Sequence, residues 1–246
     1  MNFRVSKTFK DAAVAGMFSL LGAGVTLLVM KNKKLNNYEN KDIATNAALE
    51  EFPLRKEESP MKTQAELEQE IANVEIVKKL RNDKDNWKEL PLSFGLKENH
   101  KKMSFVHSTL NQPDHLLLPP TMFVEKDQKQ VVFVFYIGKK LCGHPGFTHG
   151  GIQAILYDEA MARPAFLNLP KRTGFTAYLN ITYKSPAPVN QILIMKCSVK
   201  DTGERKALIT ATLENLDNTL ISTAESLYVA PRNTELLEDR SKTLVV

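Results

Sequence analysis

The chain has 246 residues, 43% of them hydrophobic and 25% charged, the composition of a globular protein that buries a core. Two cysteines, Cys142 and Cys197, cannot build a disulfide framework and lie in no metal-like spacing, so they read as reduced thiols. The net charge of +5 suggests nucleic acid, but residues 1–34 hold six basic residues against one acid and carry all of it, which leaves the remainder neutral and excludes a phosphate-binding face.

Residues 1–11 carry three basic side chains, Arg4, Lys7 and Lys10, with Ser and Thr among them, the pattern of a mitochondrial targeting segment. Residues 12–30, AAVAGMFSLLGAGVTLLVM, contain no charge. As a helix they span roughly 28 Å, close to a bilayer core, and Lys10 and Lys31 flank them where head groups would lie. This predicts a single-pass anchor in a mitochondrial membrane, the inner one by expectation. Three basic residues on each side give no orientation bias. The alternatives are a cleaved secretory signal, against which stand the length of the run and the lack of an A-x-A site before Lys31, and a buried helix.

Residues 31–60 are polar and aperiodic and read as a linker. Over 61–81 an apolar stripe of Ala65, Leu67, Ile71, Val74, Ile76, Val77 and Leu80 predicts one helix that covers the domain. Residues 82–121 look irregular, punctuated by Pro91, Pro113, Pro119 and Pro120, so 61–120 form a cover region. VVFVFYIG at 131–138 reads as a strand, and a glycine-rich turn, CGHPGFTHGG, follows it. Residues 150–163 read as a helix. Strand-like stretches then occupy 174–184, 189–201, 205–215 and 219–229, separated by turn residues, with a tail at 233–246. One helix followed by consecutive strands predicts an α+β domain with an antiparallel sheet over 121–232.

The chemistry concentrates in HGGIQAILYDEAMA, 149–162. Gly150 and Gly151 open the helix, where unpaired N–H groups and the helix dipole favour developing negative charge. Without side chains, they let a thioester carbonyl approach that backbone, as an oxyanion hole requires. Asp158 falls on a helix face with Gly151, Ala154, Ile155, Met161, Ala162 and Ala165, where burial would demand a partner or a task. Glu159 stands one turn before Arg163 and is placed to pair with it. His149 and Asp158 are nine residues apart, about 13 Å along one helix. If both serve one reaction, Asp158 comes from a second subunit, which predicts a dimer with sites at its interface.

HGG followed by Asp at this spacing resembles the hotdog-fold thioesterases of the 4-hydroxybenzoyl-CoA thioesterase-like (PaaI-like) superfamily. The longer strings LCGHPGFTHGG and TAYLNITYKSPAP, 176–188, are similar to mitochondrial acyl-CoA thioesterases of that superfamily and to fungal mitochondrial thioesterase-like proteins with a D-E pair on the helix. The resemblance covers roughly 115–230 and implies an antiparallel sheet wrapped around the central helix in paired protomers, as dimer or tetramer. It implies an acyl-CoA substrate whose carbonyl meets the Gly151 N–H, with Gly150 and Gly146 of the turn lining the substrate. Asp158 acts across subunits as nucleophile or general base, His149 shapes the turn and polarises the carbonyl, and Thr176 orients water. Glu159 is a substrate-side residue and fallback base. Some soluble relatives carry Asn where this chain has Gly143, which the mitochondrial relatives also lack.

The main expectation is therefore acyl-CoA hydrolysis without cofactor, metal or nucleic acid. The acyl chain, long and apolar, is expected along the small-residue face of the helix, with the 61–81 helix closing its tunnel. Two alternatives stand beside it. A hotdog hydratase or dehydratase wants Asp and His in a different motif, absent here. A domain that only binds acyl-CoA, or acts as a membrane-bound assembly factor, would keep the fold without turnover. A further alternative gives His149 only a structural hydrogen bond in the turn that starts the helix.

Overall fold

The computed structural model describes residues 62–233 and 239–241. The predicted targeting segment, the membrane helix at 12–30, the linker and most of the tail lie outside the described residues. Among the described residues no helix is long and apolar enough to cross a membrane.

Nine strands form. Seven make one antiparallel sheet: β1 (Trp87–Pro91), β2 (Thr121–Glu125), β3 (Gln130–Ile137), β6 (Phe175–Tyr183), β7 (Gln191–Thr202), β8 (Lys206–Asn215) and β9 (Leu220–Val229), in the order β1-β2-β3-β7-β8-β9-β6. Two short strands, β4 (Cys142–His144) and β5 (Phe147–Thr148), pair within the glycine-rich turn. Among the described residues three α-helices, α1 (Gln64–Asn73), α2 (Glu75–Asn82) and α3 (Glu98–Met103), precede β2. The long helix α4 (Gly150–Leu167) lies between β5 and β6 in the chain and packs against β3, β7, β8, β9 and β6. Strand order β3-β7-β8-β9-β6, with the helix inserted after the first and before the last of these, is the expected hotdog arrangement.

Strand period two explains which residues meet α4. Val131, Phe133, Phe135 and Ile137 of β3 join Leu193, Met195 and Cys197 of β7 in the core that holds Leu156, Tyr157, Ala160 and Met161. The alternate residues Val132, Val134 and Tyr136, with Ile192 and Ile194, point the other way and pack with Leu67, Ile71, Val77 and Leu80 of α1 and α2. Both faces of β3 are covered, so its sequence runs apolar without alternation.

Three expectations change. The single helix over 61–81 is two helices broken at Val74, whose φ of −60° and ψ of 131° are extended. On one straight helix Leu80 would sit roughly 140° round from Leu67. The break brings both onto the sheet. These helices also do not close a tunnel along α4, because they cover the opposite face of the sheet. The stretch 82–121 contains β1, α3 and a π-helical turn at Phe105–Thr109. β1 was illegible because Pro91, Lys88 and Glu89 interrupt it, which an edge strand tolerates. Finally, α4 continues past Arg163 through Pro164 to Leu167. Pro164 and Ala165 extend the buried stripe Gln153, Leu156, Tyr157, Ala160, Met161, and this burial outweighs the bond that proline cannot donate.

Leu67 is fully buried between α1 and the sheet. Leu67→Ala is expected to lower the unfolding free energy by about 2–5 kcal/mol. Urea unfolding followed by circular dichroism measures it; an unchanged midpoint would mean that α1 is not part of the cooperative fold.

Candidate active site

The glycine-rich turn carries the chain from β3 into α4. Gly146 has φ 83°, a left-handed conformation that favours glycine, and its carbonyl accepts from the Val189 N–H at 3.0 Å. His149 is held by its own N–H donating to Leu141 O at 2.8 Å and by Thr148 N–H donating to Ala187 O at 2.7 Å.

His149 is the N-cap of α4. Its Nδ1 accepts from the Gly151 N–H at 2.9 Å, so the neutral ring carries its proton on Nε2. A Cβ on Gly151 would come within 3.0 Å of that Nδ1, which explains a glycine there. The N–H expected to meet the substrate is thus engaged by the imidazole, whereas the Gly150 N–H has no partner among the described residues. The Gly150 carbonyl accepts from the Tyr183 hydroxyl at 2.8 Å.

Asp158 differs from expectation in its surroundings. It is exposed on the protomer rather than buried, because the stripe from Gln153 to Ala165 is the side of α4 that packs on the sheet. The helix is apolar on both sides, so composition did not say which was covered. Asp158 is nonetheless fixed twice. Its Oδ1 accepts from Thr176 Oγ1 at 2.7 Å, and its backbone carbonyl accepts from the Tyr228 hydroxyl at 3.0 Å. Tyr228 is fully buried, and burial pushes its hydroxyl well above the ordinary tyrosine range, so it remains a neutral donor.

Thr176 reaches Asp158 because of a β-bulge. Thr176 pairs with Tyr228, but Tyr178 pairs with Leu227, so Ala177 is an extra residue. In a regular strand Thr176 and Tyr178 would share a face. With the bulge, Thr176 turns toward α4 while the Tyr178 hydroxyl meets Glu225 Oε1 at 3.1 Å.

Within one protomer the structure joins Asp158 with Thr176, and separately His149 with Gly150, Gly151 and Gly146. It does not bring the two groups together: nine residues of continuous helix, about 13 Å of rise, separate them. His149, Gly151, Asp158 and Thr176 are all exposed. Glu159 stands apart and is ion-paired with Arg163, as its spacing predicted. Sequence reasoning missed Tyr183, Gln153 and Tyr228. Tyr183 closes the string TAYLNITY but was given no role there, and Gln153 was given no role on the helix.

A family profile described as the thioesterase superfamily matches residues 145–222. UPF0644 protein PB2B4.06 of Schizosaccharomyces pombe is 30% identical over 193 residues, 76% of this chain and 73% of that protein. An uncharacterized mitochondrial protein of Candida albicans is 29% identical over 148 residues, 60% of this chain and 66% of its own length. Acyl-coenzyme A thioesterase THEM4 of Mus musculus is 33% identical over 109 residues, 44% of this chain and 46% of that enzyme, so less than half of the enzyme is matched. The chain belongs to the thioesterase superfamily.

Arg163 is 8% exposed and relies on Glu159. Glu159→Gln is expected to cost about 1–3 kcal/mol of stability, because the guanidinium loses its countercharge. Thermal denaturation reads the loss; an unchanged melting temperature would show the pair to be without structural weight.

Proposed function

We propose that this protein hydrolyses an acyl-CoA thioester to a free acid and CoA. The observation that carries the reading is the Asp158 carboxylate held at 2.7 Å by Thr176 on an open face of α4. Water bound at this pair gives a proton to Asp158 as its oxygen bonds to the thioester carbon. The carbonyl electrons move to oxygen. That oxyanion is met at the start of α4, where it competes with His149 Nδ1 for the Gly151 N–H and receives the free Gly150 N–H and the His149 Nε2–H. The oxyanion then re-forms the carbonyl, the C–S bond breaks, and the CoA thiolate takes the proton. No step needs a metal or cofactor.

The reading requires two protomers. Each supplies the helix start to one site and the Asp158–Thr176 pair to the other. Two features support this pairing. β6 is a nine-residue edge strand with Phe175, Tyr178 and Tyr183 exposed, a surface that invites a partner strand. The uncovered side of α4, with Ala154, Ile155 and Ala162, is apolar around the aspartate.

We place the protein in mitochondria, anchored by residues 12–30. The Candida albicans relative is described as mitochondrial, and the basic start and apolar run of this sequence support the anchor. Full-length protein is expected in the pellet after carbonate extraction of mitochondria; release into the supernatant would refute the anchor.

Thiol release by the full chain from a series of acyl-CoAs, acetyl to stearoyl, tests the activity. Asp158→Asn is expected to lower turnover roughly 100- to 10,000-fold with folding intact. Co-expressed Asp158→Asn and His149→Ala protomers, each inactive alone, are expected to recover about a quarter of wild-type activity, because half the dimers are mixed and each mixed dimer keeps one undamaged site. No recovery would sink the shared site. Tight acyl-CoA binding by the wild type without turnover would make the protein a binding module.

A further inference from the structure

Beside the start of α4 lies a pocket of about 300 Å³ lined by Phe147, Thr148, Gly150, Gln153, Tyr183 and the segment 184–187. Its walls are largely apolar, but two polar side chains in it are more than nine-tenths buried. Thr148 is 8% exposed and its hydroxyl has no partner. Gln153 is 4% exposed and sits on the sheet-facing stripe of α4, where a leucine would be the ordinary choice.

The bonds behind Gln153 fix what it offers. Its Oε1 accepts from Ser222 Oγ at 2.9 Å, and Ser222 Oγ lies 3.0 Å from the Tyr157 hydroxyl. Ser222 and Tyr157 are fully buried. Ser222 gives its one hydrogen to Gln153, so the Tyr157 hydroxyl, which burial keeps protonated, donates to Ser222. The chain of bonds then runs from Tyr157 to Ser222 to the Gln153 carbonyl oxygen. This leaves the Gln153 amide nitrogen without a partner among the described residues, on a side chain that lines the pocket. That nitrogen is not sealed in the core but reachable from the pocket, where an acceptor on a ligand can take the place of water.

Gly150 lines the same pocket, and its N–H is the free donor at the helix start. Gln153 is three residues further along, about 4.5 Å of helix rise. A thioester whose carbonyl meets Gly150 therefore has its acyl group entering beside Gln153 within a few bonds. The hydrogen-bonded layer of Ser222 and Tyr157 stands behind Gln153 and limits the depth available.

We infer that the acyl pocket selects short acyl groups bearing an oxygen acceptor a few bonds beyond the thioester, and that Gln153 is the specificity-determining residue, donating from Nε2 to that oxygen. Thr148 gives the same oxygen a second donor when its hydroxyl rotates. This rests on the hydrolase reading above and replaces the expected long apolar chain with a short, polar-ended one.

The test compares acetoacetyl-CoA, whose keto oxygen only accepts, with butyryl-CoA of the same length. The quantity read is the ratio of their kcat/KM values in the full-length protein. Wild type is expected to favour acetoacetyl-CoA, and Gln153→Leu to reduce the ratio by about tenfold, the worth of one such hydrogen bond. Gln153→Met, of similar length and without a donor, is expected to do the same, which guards against a variant that folds poorly. Thr148→Val is expected to reduce the ratio less. A wild-type preference for butyryl-CoA, or a ratio unmoved in both Gln153 variants, overturns the inference. Absence of turnover on every thioester overturns the hydrolase reading alone. Calorimetric Kd values for the two CoA esters then decide the pocket, with the same tenfold preference expected and equal affinities overturning it.

Discussion

The bond from the buried Tyr228 hydroxyl to the Asp158 carbonyl ties the middle of α4 to β9, and much of the site depends on it. Tyr228 can make it because α4 lies flat against the inner face of the sheet, with Tyr157, Ala160 and Met161 fully packed. Thr176 is the cross-strand partner of Tyr228 and takes the side chain of the same aspartate. Two adjacent strands thus fix one helical residue by its backbone and its carboxylate. A carboxylate held in this way loses little freedom when it meets water, and that pre-organisation is what a general base needs.

The sheet divides its labour by face and by end. At the β2-β3-β7 end both faces are covered, by α4 on one side and by α1 and α2 on the other. At the β6 end the strand edge is open and the exposed residues include Asp158 and Thr176. Stability is concentrated where the faces are doubly covered. Asp158 and Thr176 sit on this open side, beside an unpaired strand edge and a partly buried apolar side of α4.

Among the described residues few polar groups are buried in this core, and His149 stands at its exposed margin. His149 satisfies the first turn of α4 and so holds the turn in place. The Tyr157–Ser222–Gln153 chain crosses the core beneath the start of that helix and ends in an unpaired amide nitrogen. Arg163, nearly buried, is balanced by Glu159 one turn away. The last of these reads as structure, and the first two border the region where a thioester would lie.

Much of the fold was legible from the sequence, for physical reasons. The β6 to β9 strands are long, β-branched and bounded by turn residues, and the HGG helix start has a chemistry that local sequence specifies. The pairing of Glu159 with Arg163 followed from helical spacing alone. Other features depended on contacts distant in the chain. The break at Val74 answers to the sheet beneath it. β1 exists because β2 pairs with it, despite Pro91 and two charges. The covered side of α4 could not be read from a helix apolar all round, so Asp158 was expected in the interior and lies at the surface. The Ala177 bulge, which turns Thr176 toward Asp158, is set by the register of β6 on β9. The sequence by itself determined the candidate site residues, since residue type and short-range spacing are local. Only the tertiary structure decided which of them meet, because side-chain direction follows from strand register and helix packing, and neither is a local property.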